Sequence, residues 1–126
     1  AKEAVAAYSN FAENYSTDEK APEFLFRAGE LSMSLMKSKD AINFFKKVYV
    51  TYPDYSKTPD CLFLEGFIYE NHLKALAEAQ RIYREFIQKY PNHTLTDDAQ
   101  FSLKFLGKRE EDIIKEFEKN KQDSVQ

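Results

Sequence analysis

Apolar side chains recur along the chain with the spacing of one face of an α-helix. Counting from Ala41, Phe45 lies four residues on, Val48 seven and Tyr52 eleven. Steps of four, three and four residues match a helix of 3.6 residues per turn, so they predict helices with one apolar face. The same offsets recur in two other segments, at Ala4, Tyr8, Phe11 and Tyr15 and at Ala79, Tyr83, Phe86 and Tyr90.

These three segments form an internal repeat. Their first residues, Ala4, Ala41 and Ala79, are 37 and 38 residues apart. Between them lies a second apolar series, in which a phenylalanine follows each first residue after 22 positions, at Phe26, Phe63 and Phe101. A fixed period of this length is typical of stacked helix pairs, so the sequence predicts a repeat unit of two helices.

Prolines mark where the predicted helices end and begin. Tyr52-Pro53 and Tyr90-Pro91 close a helix, because proline disfavours helical backbone in the residue before it. Thr58-Pro59-Asp60 is typical of a helix start, with the threonine hydroxyl as N-cap. The sequence therefore predicts an all-α domain spanning 1–126, with a half repeat at 1–15, pairs at 20–52 and 59–90, and a last pair with a polar capping helix at 96–121. Seven helices are expected, at about 2–15, 20–37, 39–52, 59–72, 75–90, 96–106 and 109–121.

Composition narrows the function of this domain. The 126 residues carry 18 Lys and Arg against 21 Asp and Glu, and a net charge of −3 argues against sequence-independent nucleic-acid binding. No apolar run approaches the roughly 18 to 20 residues that span a bilayer. One cysteine and two histidines leave little for a metal site or a catalytic triad. We therefore expect a non-catalytic binding domain without a cofactor.

The repeat resembles the tetratricopeptide family. That family's second helix carries a small residue, an aromatic residue four on, an apolar residue seven on and proline twelve on, as Ala41, Phe45, Val48 and Pro53 do. Its first helix carries a large residue and a small one four later, as do Leu25 with Gly29 and Leu62 with Gly66. The family period is about 34 residues. The longer turns here and the Tyr-Pro endings resemble those in repeats of bacterial envelope proteins. The third copy departs from the family pattern, because Lys104 replaces the small residue of the first helix.

The resemblance implies a right-handed superhelical stack whose first helices line a concave groove for a peptide or segment of a partner protein. Phe67 and Phe105 are the preferred groove residues, while Phe26, Phe63 and Phe101 could equally belong to the core. The acids would favour a basic or amino-terminal ligand, or they could form an ordinary solvated face. The groove positions carried over from the family are Glu23, Phe26, Glu30, Met33, Asp60, Phe63, Phe67, Glu70, Asn71, Asp98, Phe101 and Phe105.

Three polar or reactive residues have simpler interpretations. Cys61 is expected in the core, His72 at terminal helix carbonyls and His93 in a solvated turn.

An alternative function is a structural segment of a larger repeat protein, which docks or self-associates through its ends or outer face. The envelope resemblance favours a periplasmic or outer-membrane-associated location in a bacterium.

Overall fold

The computed structural model describes residues 1–108 and 110–125. Within these ranges the chain forms seven α-helices and no β-strand, which confirms the predicted all-α helical-repeat fold. Six predicted helices lie within three residues of the observed bounds, and the predicted start of the seventh, at 109, lies outside the described residues. The helices are α1 (Lys2–Asn14), α2 (Ala21–Ser34), α3 (Ser38–Thr51), α4 (Thr58–Asn71), α5 (Leu76–Lys89), α6 (Thr96–Lys104) and α7 (Glu110–Val125).

Each of the helices α1 to α5 packs against the next in chain order, so α2 pairs with α3 and α4 pairs with α5. Glycine allows both close crossings. A Cβ added to Gly29 would lie 2.5 Å from Phe45 Cε1, and one added to Gly66 would lie 2.8 Å from Tyr83 Cε1. Contacts this short are repulsive, so a larger residue would push the paired helices apart. The small residues predicted in the first helices therefore lie at the helix crossings.

The interior consists of two apolar clusters that share α4. One cluster combines buried residues of α1 to α4, and the other combines residues of α4, α5 and α6. Cys61 and Ile68 belong to the first cluster, whereas Leu62 belongs to the second. Because α4 contributes to both, it joins the two helix pairs, and Cys61 is buried as predicted.

The loop after α2 explains why this helix ends three residues earlier than predicted. Met36 adopts the left-handed conformation with φ +60°, and the Lys37 amide donates to the Ser32 carbonyl at 2.8 Å. This bond satisfies a terminal carbonyl and turns the chain towards α3. Left-handed backbone usually favours glycine. Because position 36 is a methionine, the end of α2 could not be predicted from the residue there.

The long turns between pairs are braced by threonine, although not in the predicted way. Thr58 is the first residue of α4, and its hydroxyl donates to the Tyr52 carbonyl at 2.6 Å. Thr96 makes the same bond to the Tyr90 carbonyl at 2.5 Å. The predicted N-cap role of Thr58 is therefore wrong, because the hydroxyl acts as a donor to the preceding helix end instead of an acceptor for its own helix.

The third copy departs from the first two. Helix α6 is shorter than predicted and ends at Lys104, whose side chain is exposed where the other copies bury glycine. The chain then turns at Gly107, with φ +75°, before α7 begins. Helix α7 contacts the preceding helix through Phe117, whose ring lies 6.0 Å from that of Phe101. The last hairpin therefore lacks a glycine crossing.

Candidate functional site

The predicted groove residues occupy equivalent stripes on the first helix of each pair. In α2 and α4 they follow one another at steps of three, four and three residues, which places them on one helix face. In α6 the stripe is cut short, because the helix ends before Phe105. We call this face of α2, α4 and α6 the first-helix face, defined by Glu23, Phe26, Glu30, Met33, Asp60, Phe63, Phe67, Glu70, Asp98, Phe101 and Phe105.

Phe26 and Phe63 are mainly packing residues. The Phe26 ring is buried 5.9 Å from that of Phe45, and Lys57 covers it with its ammonium 5.0 Å from the ring centroid. Phe63 is half-buried, with its ring 5.8 Å from Tyr83 and 5.9 Å from Phe86. Of the two interpretations that the sequence left open, the core position describes Phe26 fully and Phe63 in part.

Phe101 in α6 and Phe105 just after the helix have the opposite exposure from the one expected. Phe105, a preferred groove residue, is only 6% exposed, whereas Phe101 is 46% exposed. The Phe105 ring lies 4.7 Å from Phe101 and 5.6 Å from Phe117 of α7, while Lys104 and Lys108 lie over its face. The seventh helix thus covers a position that the family resemblance assigned to the groove.

On the first-helix face and α7, exposed aromatic surface remains at three rings. Phe67 is 38% exposed, and its only described ring neighbour is His72 at 5.9 Å. Phe101 and Phe117 stack at 6.0 Å with an interplanar angle of 19°, and Phe117 is 51% exposed. Large exposed aromatic rings are the usual anchors of protein interfaces, so these three are the best-placed apolar contacts for a partner.

Several acids of the first-helix face already have partners. Glu23 accepts a hydrogen bond from Arg27 at 3.1 Å, and Glu70 accepts one from the buried Tyr83 hydroxyl at 2.8 Å. The Tyr83 bond fixes the Glu70 carboxylate. Within the described part of the chain, Glu30 and Asp98 form no ion pair and are exposed. The exposed negative charge of this face therefore lies chiefly at these two positions.

Turn residues that the sequence did not assign to the groove also border this face. His93 is partly buried instead of solvated, because its ring packs edge-on against Phe86 at 5.7 Å. Its Nδ1 accepts from the Leu95 amide at 3.0 Å, and its Nε2 lies 3.6 Å from Asp60 Oδ1. Tyr55 occupies the equivalent turn position, three residues after Tyr52. Its pKa is raised by burial and next by the nearby Glu23 carboxylate.

The repeat register contained the signal for these turn residues. Tyr55 and His93 each lie three residues after a Tyr-Pro tyrosine, so aligning the turns as well as the helices would have paired them. The three additional residues relative to the family period lengthen these turns. Because of this length, each loop reaches back to the start of the first helix of its pair. Tyr55 lies near Glu23 of α2, and His93 lies near Asp60 of α4.

A small polar cleft adjoins the end of α4. It has a volume of about 300 Å³ and contains Glu70 and Asn71 from the predicted set. Asn71 donates to the Phe67 carbonyl at 3.1 Å, and Lys74 and Lys108 bring positive charge to the same cleft. This end of the first-helix face is thus mixed in charge.

The chemistry of the remaining candidates is structural. Burial raises the pKa of the Cys61 thiol, and the Asp60 and Glu65 carboxylates raise it further, so the thiolate is disfavoured. In residues 1–108 and 110–125 there is no cluster of three His, Cys, Asp or Glu suited to a metal ion. None of the described helices is both long and apolar enough to cross a membrane.

Comparison with known proteins agrees with the repeat geometry. The family model for the tetratricopeptide repeat matches residues 60–93, which include most of α4, all of α5 and the following turn. No curated protein matches the chain. The match supports a tetratricopeptide-type repeat, a class that generally mediates protein–protein interaction.

Proposed function

Proceeding from a repeat of the tetratricopeptide type, we propose that this chain is a non-catalytic scaffold that binds a segment of a partner protein along its first-helix face. The observation that carries the proposal is the exposure of Phe67 and Phe101 at the same face of successive first helices. Two exposed acids lie on the same face: Glu30 occupies in α2 the register of Phe67 in α4, and Asp98 lies one helical turn before Phe101 in α6. The segment best suited to this surface has apolar anchors and basic residues between or beside them.

Aromatic anchors of this kind dominate binding free energy. Truncating a hot-spot side chain to alanine costs about 2 kcal/mol or more, which is roughly a thirty-fold loss of affinity. The acids contribute chiefly to the rate of encounter and to the choice of partner. Binding through this face should therefore depend strongly on the rings and weaken with added salt.

The test removes the two exposed rings together. A Phe67→Ala/Phe101→Ala double variant should lose at least ten-fold in capture of partner proteins from extracts of the native cell, measured by quantitative affinity purification. Val50→Ala provides the control, because Val50 is exposed on the second helix α3. The control should retain capture, and both variants should keep the helical circular-dichroism signal. Unchanged capture by the double variant would show that the face is not the binding surface.

Phe105 is unsuited to this test although the sequence favoured it. Because its ring is buried between Phe101 and Phe117, Phe105→Ala would create a cavity as well as remove a contact. Loss of capture by that variant would not separate binding from stability.

We further propose that the scaffold acts in a bacterial cell envelope, in the periplasm or at the outer membrane. Support comes from the resemblance of the long Tyr-Pro turns to repeats of bacterial envelope proteins. Thr58 and Thr96 brace both turns in the same manner. Fractionation of the native cells, with detection by antibody, should recover the protein with periplasmic or outer-membrane markers. Recovery with cytosolic markers would contradict this part of the proposal.

The alternative function, docking through an end of the stack, rests on a different observation. Part of the apolar face of α1 is uncovered among the described residues, where Ala4, Tyr8 and Phe11 are only half-buried.

A further inference from the structure

The turns that follow α2, α4 and α6 lie side by side, because two clefts link them. Residues 36–40 and 72–73 line a cleft of about 510 Å³ between the first two turns. The polar cleft of about 300 Å³ at the end of α4 links the second turn to the third. We call this end of the stack the within-pair edge, defined by residues 35–40, 70–76 and 107–108.

Large apolar side chains of the within-pair edge are exposed to solvent. Met36 is 67% exposed, and Leu35 and Leu73 are exposed in the same and the following turn. Leu76, the first residue of α5, is exposed beside Gly107 and lines the second cleft. Exposed apolar side chains that are grouped around clefts are typical of interaction surfaces. The edge therefore offers apolar contacts on both sides of the turn after α4.

Lysines accompany these apolar side chains. Lys37 and Lys39 line the first cleft together with Asp40, and Lys74 lines the second. The three lysines are exposed and form no ion pair among residues 1–108 and 110–125. The acid of the second cleft, Glu70, already accepts a hydrogen bond from Tyr83. The edge thus presents positive charge, although the chain as a whole carries −3.

Two turns of the edge place a long side chain where glycine would be less strained. Met36 and Lys74 have φ values of +60° and +53°, in the left-handed region. The amide of the residue after each donates at 2.8 Å to a carbonyl of the preceding helix, so backbone groups make these turns. The third turn meets the same requirement with Gly107. The turns themselves therefore do not need the Met36 and Lys74 side chains, which both border a cleft.

We propose that the within-pair edge is a docking site for an acidic segment of a partner protein that carries large apolar side chains. The apolar side chains of the segment contact Met36 and Leu73 in the clefts, and its carboxylates pair with the lysines of the edge. An anionic membrane fits less well, because Leu73 lies in a concave cleft and Asp40 in the same cleft would repel the headgroups. The charge of this segment is opposite to that of a ligand for the first-helix face, so the two sites are separate.

The left-handed turns allow a variant that changes the edge without straining the fold. Met36→Gly/Lys74→Gly removes one apolar and one charged side chain at positions whose backbone favours glycine. The helical circular-dichroism signal of this variant should be unchanged and its melting temperature unchanged or higher. Any loss of binding would then come from the lost side chains.

A second pair of variants tests the charge. Lys37→Gln/Lys39→Gln removes two positive charges from the first cleft and keeps side chains of similar length. Lys20→Gln/Lys47→Gln is the matched control, because both lysines are exposed and neither borders the two clefts.

The probe is a display library of short peptides in which Leu, Met or Phe alternates with Asp, Glu, Ser, Gln, Lys or Arg. Peptides are selected on the full chain, and those that also bind the Met36→Gly/Lys74→Gly variant are discarded. The remaining peptides should be rich in Asp and Glu. By fluorescence anisotropy they should bind the Lys37→Gln/Lys39→Gln variant about ten-fold more weakly than the parent chain. The Lys20→Gln/Lys47→Gln control and a Phe101→Ala variant should bind them normally, which separates this test from that of the first-helix face.

Three results would overturn the proposal. They are the absence of any peptide that distinguishes the parent chain from the glycine variant, recovered peptides without an excess of acids, and equal affinity for the two lysine variants. Sedimentation with vesicles of equal parts phosphatidylglycerol and phosphatidylcholine adds a fourth. Vesicle binding that the glycine variant loses, without recovery of acidic peptides, would assign the edge to a membrane surface instead.

Discussion

Glu65 is an acidic side chain at a core position of the repeat. It is only 2% exposed, and its equivalents in the other first helices are Ala28 and Leu103. Burial raises its pKa from 4.5 to about 7, while Lys46 opposes this shift and Glu85 adds to it. A carboxylate at this position of α4 must therefore lose solvation whenever it is charged in the folded state.

The stability of the chain should fall as the pH rises from about 4.5 to about 7. In this window the folded state retains a proton on Glu65 that the unfolded state has lost, so a rise in pH favours unfolding. The contribution of Glu65 is fully present below pH 4.5 and lost above pH 7. The full difference is about 3 kcal/mol at roughly 1.36 kcal/mol per pKa unit.

Glu65→Gln should remove this dependence and stabilise the chain at pH 8 by about 1–3 kcal/mol. Urea unfolding at pH 5 and pH 8 measures both effects. Glu78→Gln is the control, because Glu78 is exposed and pairs with Arg81 at the surface. A Glu65→Gln variant as sensitive to pH as the parent chain would show that other groups set the dependence.

At the scale of the elements, the glycine crossings determine how closely the paired helices pack. The pattern predicted small residues at Gly29 and Gly66, and the structure places each against an aromatic ring of the next helix. Lys104 occupies the same register in α6, where its side chain remains exposed. The position within the repeat therefore identified where the paired helices cross. The lysine at that position in α6 marked the third copy, which packs differently.

Gly66→Ala should destabilise the chain by about 1–3 kcal/mol, because its Cβ would overlap the buried Tyr83 ring. Lys104→Ala, at the same register in the third copy, should change stability by less than about 0.5 kcal/mol. Thermal and urea unfolding would compare the two. A Gly66→Ala chain as stable as the parent would mean that α4 and α5 can separate without loss of packing.

For the whole molecule, the two clusters around α4 and the peripheral α7 predict unequal local stability. Buried residues of both clusters come from α1 to α6, whereas the described aromatic contacts of α7 are made by Phe117 alone. Repeat stacks gain stability from neighbouring interfaces, so an end element with few contacts can open independently of the rest.

Hydrogen exchange should therefore show α7 amides exchanging at least ten-fold faster than those of α4. Phe117→Ala should increase exchange in α7 further and leave α4 unchanged, because the substitution removes the ring contacts with Phe101 and Phe105. Mass spectrometry of peptic fragments gives the measurement. Equal protection of α4 and α7 would indicate one cooperative unit.

The sequence determined the helices, their pairing and the two glycine crossings. These features follow from local periodicity, since spacings of three and four residues define one helix face wherever they occur. The equivalence of Phe26, Phe63 and Phe101 was also visible in the sequence. Their equal spacing, however, did not predict their unequal exposure.

The tertiary structure alone decided which of these rings are exposed. Lys57 covers Phe26 from the next turn, and Phe117 helps bury Phe105 from a helix outside the repeat pattern. Exposure depends on residues that approach from other elements, whereas helical periodicity reports only on the element itself.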